Sequence, residues 1–265
     1  MSRDKPRWMK VSKQDQVAVV TYSNPPQGLI SANGAMQLDE TLTLLVGDPE
    51  VRSIVLSGGQ AGVFIRHADV GQIAWAGEAL AEQRTQPADW LQSPFRALCR
   101  TIAMSPKPII AAIDGVCFGG GLEIALPCAM RIASPDSSLG LPEIRLGIFP
   151  GSGGTQRLAR LIGSHLARLW ILRGEIVSAD QARRVGLIDE IASAPLDRAI
   201  SVAAELATRP PAAVAAVMAL TREPMEDPRL DEEVLRFAEL LRDHPEVRNR
   251  LRAFVDGMEQ LHELP

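Results

Sequence analysis

Apolar and polar positions switch repeatedly between strand-like and helix-like periods over the first two thirds of the chain. Residues 17–21 form a short apolar run that predicts a strand. Asn24-Pro25-Pro26-Gln27-Gly28 is a turn. Ser31 then caps a helix predicted to reach about Val46, with Met36, Leu38, Leu42 and Leu45 on its apolar face and Asp48-Pro49 as its stop. Residues 53–56 predict a second strand. After the glycine-containing loop 57–62, Val63-Phe64-Ile65 predicts a third. Asp69 caps a helix from Val70. Residues 78–92 carry Gln83, Arg84, Gln86 and Pro87 and predict a mobile loop, the kind that forms a lid or a variable substrate wall. Residues 95–104 predict a helix that ends at Ser105-Pro106.

An apolar strand, 108–113, then runs into Gly119-Gly120-Gly121 and a short helical pattern closed by Pro127. Residues 130–133 predict a strand, and 139–146 an extended segment with Pro142 inside it. Beyond Gly151 the pattern is helical over about 155–162, 164–172, 178–185, 195–208, 211–221 and 230–256, with 188–191 as the one strand among them. This predicts an α/β core over residues 1–195 and a helical region over 196–265 that serves as a cap or an assembly surface. No repeat of fixed period is visible.

Composition narrows the class. At 265 residues with 46% hydrophobic content the chain is long enough for a full core. A net charge of −4 argues against nucleic acid as a partner. No run of about 18 apolar residues occurs, so no membrane span is expected. Residues 1–10 carry Arg3, Lys5, Arg7 and Lys10 without an apolar core and read as neither signal nor transit peptide. Cys99, Cys117 and Cys128 match no zinc spacing, and two of them sit in apolar company; a reducing cytoplasm fits such thiols. His67, His165, His244 and His262 form no cluster, so no metal is expected.

The glycine stretch raises a chemical question. Each glycine in a helix start costs up to about 1 kcal/mol against alanine, so three together ask for a reason. Free N–H groups of a first helical turn suit a phosphate or an oxygen that gains negative charge. Glu123 leans back toward those same groups. Two readings stand: an acceptor set beside donors for catalysis, or a glycine-lined packing contact with a first-turn charge. Gly151-Ser152-Gly153-Gly154-Thr155-Gln156 misses GxGxxG at its last position, and no P-loop or GxSxG is present. Glu143 stands in an otherwise apolar stretch, Leu139 through Ile144, either at an exposed edge or as a buried functional group. Enough chain separates the two acids for both to face one pocket.

Three motifs in order resemble the enoyl-CoA hydratase/isomerase (crotonase) superfamily. They are Gly119-Gly120-Gly121-Leu122-Glu123, Leu141-Pro142-Glu143-Ile144-Arg145-Leu146-Gly147, and Pro150-Gly151-Ser152-Gly153-Gly154-Thr155-Gln156-Arg157-Leu158. Asn24-Pro25-Pro26, Phe64 through Asp69, Gly174 through Ala179, and Gly186 through Glu190 are similar too, so the resemblance covers roughly residues 15–256. It implies the crotonase (ClpP-like) fold, a superhelix of stacked β–β–α turns with a helical C-terminal region that mediates trimers, often paired into hexamers. It implies an acyl-CoA thioester as substrate, with coenzyme A arriving as part of that substrate and no separate cofactor. The N–H groups of Ala68 and Gly120 would form the oxyanion hole, and Glu123 and Glu143 would hold and activate a water that adds to C3 of a trans-2-enoyl-CoA.

Some residues depart from the family pattern. Where members commonly have a small residue before the oxyanion-hole alanine, this chain has His67, preceded by Arg66. Either side chain meets a polar acyl group or a CoA phosphate, or both point outward. Asp69 is a helix cap or a direct ligand, and Gly121 joins Arg66, His67 and Asp69 as a candidate substrate-binding position. Arg157 and Gln156 brace a helix start. Residues 254–265 lack the basic cluster that many members use near the CoA nucleotide. Hydration is the leading expectation. The alternatives are another crotonase-fold isomerase, hydrolase or lyase, or a weakly catalytic acyl-CoA-binding subunit.

Overall fold

Consecutive strands divide themselves between two sheets. The computed structural model describes residues 8–222, 224 and 227–257. Its strands are β1 (Met9–Gln14), β2 (Val17–Tyr22), β3 (Ser53–Gly58), β4 (Val63–Ile65), β5 (Ile109–Ile113), β6 (Val116–Phe118), β7 (Met130–Ala133), β8 (Ser138–Gly140), β9 (Ile176–Ser178) and β10 (Glu190–Ile191). Its helices are α1 (Ala32–Gly47), α2 (Val70–Ala81), α3 (Pro94–Met104), α4 (Gly120–Ala125), α5 (Gly154–Ile162), α6 (Ser164–Arg173), α7 (Ala179–Arg184), α8 (Pro195–Ala207), α9 (Pro211–Thr221), α10 (Pro228–Asp243) and α11 (Pro245–Gly257). Short 3-10 turns occupy Pro87–Gln92 and Glu143–Leu146.

One sheet has the order β1-β2-β3-β5-β7-β10 and the other β4-β6-β8-β9. In the pairs β3/β4, β5/β6 and β7/β8 the first strand joins the large sheet and the second the small one, before the chain leaves for a helix or 3-10 turn. Only the ends, β1 on β2 and β9 on β8, pair antiparallel. Three such β–β–α turns stack in parallel register, the superhelix that the resemblance implied.

Both faces of the large sheet are buried along its central parallel strands β2, β3, β5 and β7. Val20, Tyr22, Ile54, Leu56, Ile109 and Ile113 face a core shared with Leu38 and Leu42 of α1, Leu98 and Ile102 of α3, and Leu122 of α4. Val17, Val19, Val55, Ile110 and Ile132 pack against Ala199, Val202 and Ala203 of α8. A separate cluster joins Val70, Ala74 and Leu80 of α2 to Leu146, Ile148, Phe237 and Leu241 of α10, and Val247, Leu251 and Phe254 of α11. The C-terminal helices thus have different roles: α8 completes the sheet core, α10 and α11 lie on α2, and α9 has no buried residue.

Several elements differ from their sequence reading. Ser31 and Asp69 cap α1 and α2 through bonds to the Gly34 and Gln72 amides, but Met36 turns outward and is 43% exposed. The segment 78–92 is no open loop. Its start completes α2, its end is the 3-10 turn, and the Gln83 and Arg84 amides donate to Leu80 and Ala79 carbonyls between them. Its polar look comes from one face: Arg84 pairs with Glu82 and lies over the Trp75 ring, while Ala79, Leu80 and Pro87 are buried. Residues 139–146 are extended only to Gly140, because Pro142 starts the 3-10 turn that Gly147 ends in a left-handed conformation. The helix expected over 230–256 breaks at His244-Pro245. Pro245 has no N–H for the Leu241 carbonyl, which instead accepts from Arg248 Nη1 at 2.6 Å. Strand β10 keeps only the second half of 188–191. Strands β1, β6 and β9 were not expected.

No helix among the described residues is long and apolar enough to cross a membrane, and no group of three or more His, Cys, Asp or Glu among them is placed to hold a metal. The readings made on residues 1–7 and 258–265 lie outside the described residues. Helix α4 lies backbone-to-backbone on β4: a Cβ on Gly121 would stand 2.0 Å from the Ile65 carbonyl oxygen. Neither partner is a side chain that can swing away. Gly121→Ala is therefore expected to destabilise the protein by about 3 kcal/mol or more, and urea unfolding of variant and wild type measures it.

Candidate active site

The end of β4 places the first donor. Ile30 bridges the loop after β4: its amide donates to the His67 carbonyl at 3.0 Å, and its carbonyl accepts from the Asp69 amide at 2.9 Å. Ala68 lies between these bonds, and its own N–H has no partner among the described residues. The second donor belongs to Gly120, the first residue of α4, whose N–H likewise has no partner among them. The two meet closely, since a Cβ on Gly120 would stand 3.1 Å from the Ala68 nitrogen. Gly119 makes the turn between β6 and α4 at φ 48° and ψ −125°, a conformation that suits glycine.

Two carboxylates share the cavity with this pair of amides. Glu123 comes from the first turn of α4, and its Oε1 accepts from the Ser152 amide at 2.7 Å and the Gly154 amide at 2.9 Å. Burial raises its pKa, opposed by those two N–H groups and by the Arg157 cation. Glu143 opens the second 3-10 turn and is buried, with Oε2 lacking any hydrogen-bond partner among the described residues. Its pKa is pushed well above the ordinary carboxylate value, first by burial and then by the negative charges of Glu123 and Glu233. Glu123 thus has two amides and a cation supporting its anion, whereas Glu143 has two other acids set against its own.

The structure separates the candidate substrate-binding residues. His67 turns inward, is buried, lines the cavity and has Nδ1 2.7 Å from the Ala68 carbonyl. Burial lowers its pKa, so the ring is held neutral. Arg66, one residue earlier, lies on the other side: its Nε donates to the Gln27 carbonyl at 2.9 Å, and it is not among the cavity-lining residues. Asp69 reaches the cavity edge while its carboxylate caps α2. Gly121 is spent on the contact with Ile65 and does not line the cavity.

The cavity encloses about 340 Å³. Ala68, Gly120, Glu123 and Glu143 form its polar end; Ile73, Trp90, Ile148, Phe149, Val234 and Phe237 form an apolar one. The Phe237 ring lies 5.6 Å from both Trp90 and Phe149. Sequence reasoning passed over this aromatic wall and over Glu233, the third buried acid. The apolar spacing of Val234, Phe237 and Leu241 marked a buried face of α10, but Glu233 follows Asp231 and Glu232 and reads as part of a solvated run.

Burying Glu143 without a partner opposes folding. Its raised pKa means that the folded state binds the proton more tightly, so this burden is absent below the unfolded carboxylate pKa of about 4.3 and grows as pH rises above it. Glu143→Gln is expected to stabilise the protein by about 1–3 kcal/mol at pH 8, or roughly 2–10 °C in Tm, and the gain should vanish near pH 4. Thermal unfolding across that pH range checks it.

Residues 12–260 match the family model described as enoyl-CoA hydratase/isomerase. The short-chain-enoyl-CoA hydratase of Clostridium acetobutylicum is 32% identical over 207 residues, 77% of this chain and 77% of that protein. The fatty acid oxidation complex subunit alpha of Idiomarina loihiensis is 36% identical over 195 residues, 72% of this chain but only 27% of that longer protein. The crystal structure of an enoyl-CoA hydratase from Bacillus halodurans superposes with a TM-score of 0.83 over 93% of this chain and 100% of that one, at 22% identity, which speaks for the fold. The stacked β–β–α turns are therefore the crotonase fold, and the chain belongs to the enoyl-CoA hydratase/isomerase family.

Proposed function

We propose that the protein is an enoyl-CoA hydratase that adds water across the C2=C3 bond of a trans-2-enoyl-CoA thioester. The observation that carries this reading is the convergence in one cavity of two unpaired amides, Ala68 and Gly120, with two buried acids of unequal proton affinity. The thioester oxygen sits between the two N–H groups, which take up the charge that develops on it as the enolate forms. A water lies between the glutamates. Glu123, whose anion the Ser152 and Gly154 amides support, accepts its proton as the oxygen bonds to C3; Glu143, acting in its protonated form, delivers a proton to C2. One proton is taken up and one is given, so the pair ends with the same net charge. The apolar wall of Trp90, Phe149 and Phe237 receives the acyl chain.

The protein acts in the cytoplasm without a cofactor. It assembles as a trimer or a pair of trimers, and α9, whose Val217 and Leu220 are 60% and 85% exposed, supplies apolar surface for that contact.

Hydration of crotonyl-CoA and longer enoyl-CoAs, followed by loss of the conjugated thioester absorbance, tests the assignment. Glu123→Gln and Glu143→Gln are each expected to lower kcat by about 10²–10⁴-fold, and the double variant by much less than the product. A wild-type rate no higher than either variant's overturns it.

His67 favours a second reading, in which the substrate is an acyl-CoA with a polar acyl group handled by an isomerase, hydrolase or lyase of the same fold. It places a neutral ring in the cavity beside the proposed oxyanion hole. Turnover of His67→Gly on simple and carboxylated acyl-CoAs separates the two. Selective loss on the carboxylated esters supports the polar substrate, and equal kinetics on every ester removes it.

A further inference from the structure

Four successive amides after Gly151 are divided alternately between two acids. Ser152 and Gly154 donate to Glu123, at 2.7 and 2.9 Å. Gly153 and Thr155 donate to Glu233 of α10, the Thr155 amide at 3.1 Å, and the Thr155 hydroxyl donates to it as well. The loop 152–155 is therefore a single layer of backbone with one carboxylate on each side. Gly153 allows this by taking φ 98°, with Arg157 packed so closely that a Cβ there would stand 2.0 Å from Arg157 Nη1. That same Nη1 donates to the Ser152 carbonyl at 2.9 Å. Glu233 is 4% exposed and is brought in by a helix that packs on α2, the first 3-10 turn and α5.

We propose that Glu233 is a positioning residue for the acid–base pair: it locks the loop in the conformation that presents the Ser152 and Gly154 amides to Glu123, and its carboxylate sets the ionisation of Glu123 and Glu143 from across that loop. The inference rests on the assignment of those two residues as the pair that works on water. If the Glu233 bonds are lost, nothing else among the described residues holds the Gly153 and Thr155 amides, and the bonds that orient Glu123 lose their fixed frame. Charge acts in the same direction through space. An anion at Glu233 opposes ionisation of both other acids, and they oppose its own, so its pKa is raised to about 7, chiefly by burial and then by Glu123. The charged groups facing Glu233 are Glu123, Glu143 and Arg157. Several other charges on the packed elements are engaged elsewhere. Arg160 pairs with Asp227, Arg96 with Asp231, Glu78 with Arg248 and Arg252, and Asp89 caps its own 3-10 turn.

Glu233→Gln tests this without emptying the site, because the amide keeps one acceptor for the loop and can donate to the Thr155 hydroxyl. Carboxyl-carbon NMR titration of protein labelled at the glutamate side-chain carboxyls needs no turnover. The raised transitions, assigned by their loss in Glu123→Gln and Glu143→Gln, are expected to move down by about one pH unit in Glu233→Gln. On crotonyl-CoA the acid limb of the kcat profile should move down with them, kcat at its plateau should fall about tenfold, and KM should stay within about twofold, the mark of an interaction made in the transition state. Glu233→Asp, which keeps the charge on a shorter arm, should leave the acid limb where it is and lose kcat alone. A purely structural role would lower stability without moving either titration. Unmoved NMR transitions, or an unmoved acid limb with unchanged kcat in Glu233→Gln, overturn the proposal. If the wild type hydrates no enoyl-CoA, the hydratase reading falls while the NMR titration still decides whether Glu233 governs the pair.

Discussion

The close seating of α4 on the end of β4 is the constraint from which the site follows. Two backbones come within van der Waals contact because Gly120 and Gly121 put no side chain between them. That contact sets the Ala68 and Gly120 amides side by side, and the helix turn that follows aims Glu123 toward the loop before α5. A helix start normally leaves several N–H groups for water or a cap. Here, among the described residues, the first of them remains unpaired beside a second free donor, in a cavity lined in part by aromatic rings. The position of the acids, the loop and α10 is then an answer to where α4 points.

The electrostatic arrangement runs against stability and toward reactivity. Three carboxylates are buried within mutual influence, and among the described residues only Arg157 is set close enough to ease both Glu123 and Glu233. Backbone amides do the remaining work, which places fixed dipoles rather than mobile counter-ions around Glu123. Glu143 has only its own amide in support, and in the proposed reaction that difference between the two environments would divide their roles. Similar groups are made dissimilar by what donates to them.

How much of this was legible in the chain depends on the range of the interaction responsible. The caps at Ser31 and Asp69 act within three residues of themselves, and the letters alone carry them. The glycine run before Glu123 is also local. Strand β1 carries no alternation, because as a sheet edge it is almost wholly exposed, and so it reads as a polar tail. Arg66 and His67 are neighbours on an extended segment and must face opposite ways; which one faces in is decided by the pairing of that segment with Ile30, far away in sequence. Glu233 shows the limit most sharply. Its partners lie about 80 residues earlier, and no local pattern distinguishes it from the acidic neighbours that stay in water.

Helix α10 contributes Glu233 to one side of the loop 152–155 and Val234 and Phe237 to the apolar lining of the cavity, within little more than one helical turn. A rigid rod cannot slide at one position and stay still at another. In the proposed hydratase, remodelling residue 237 to admit a bulkier chain would tilt or lift the same backbone that carries the acid, and so would bind selectivity for acyl shape mechanically to the pH range of activity. A change in one then calls for compensation on the elements that hold this rod, α2, α5, α11 and the first 3-10 turn.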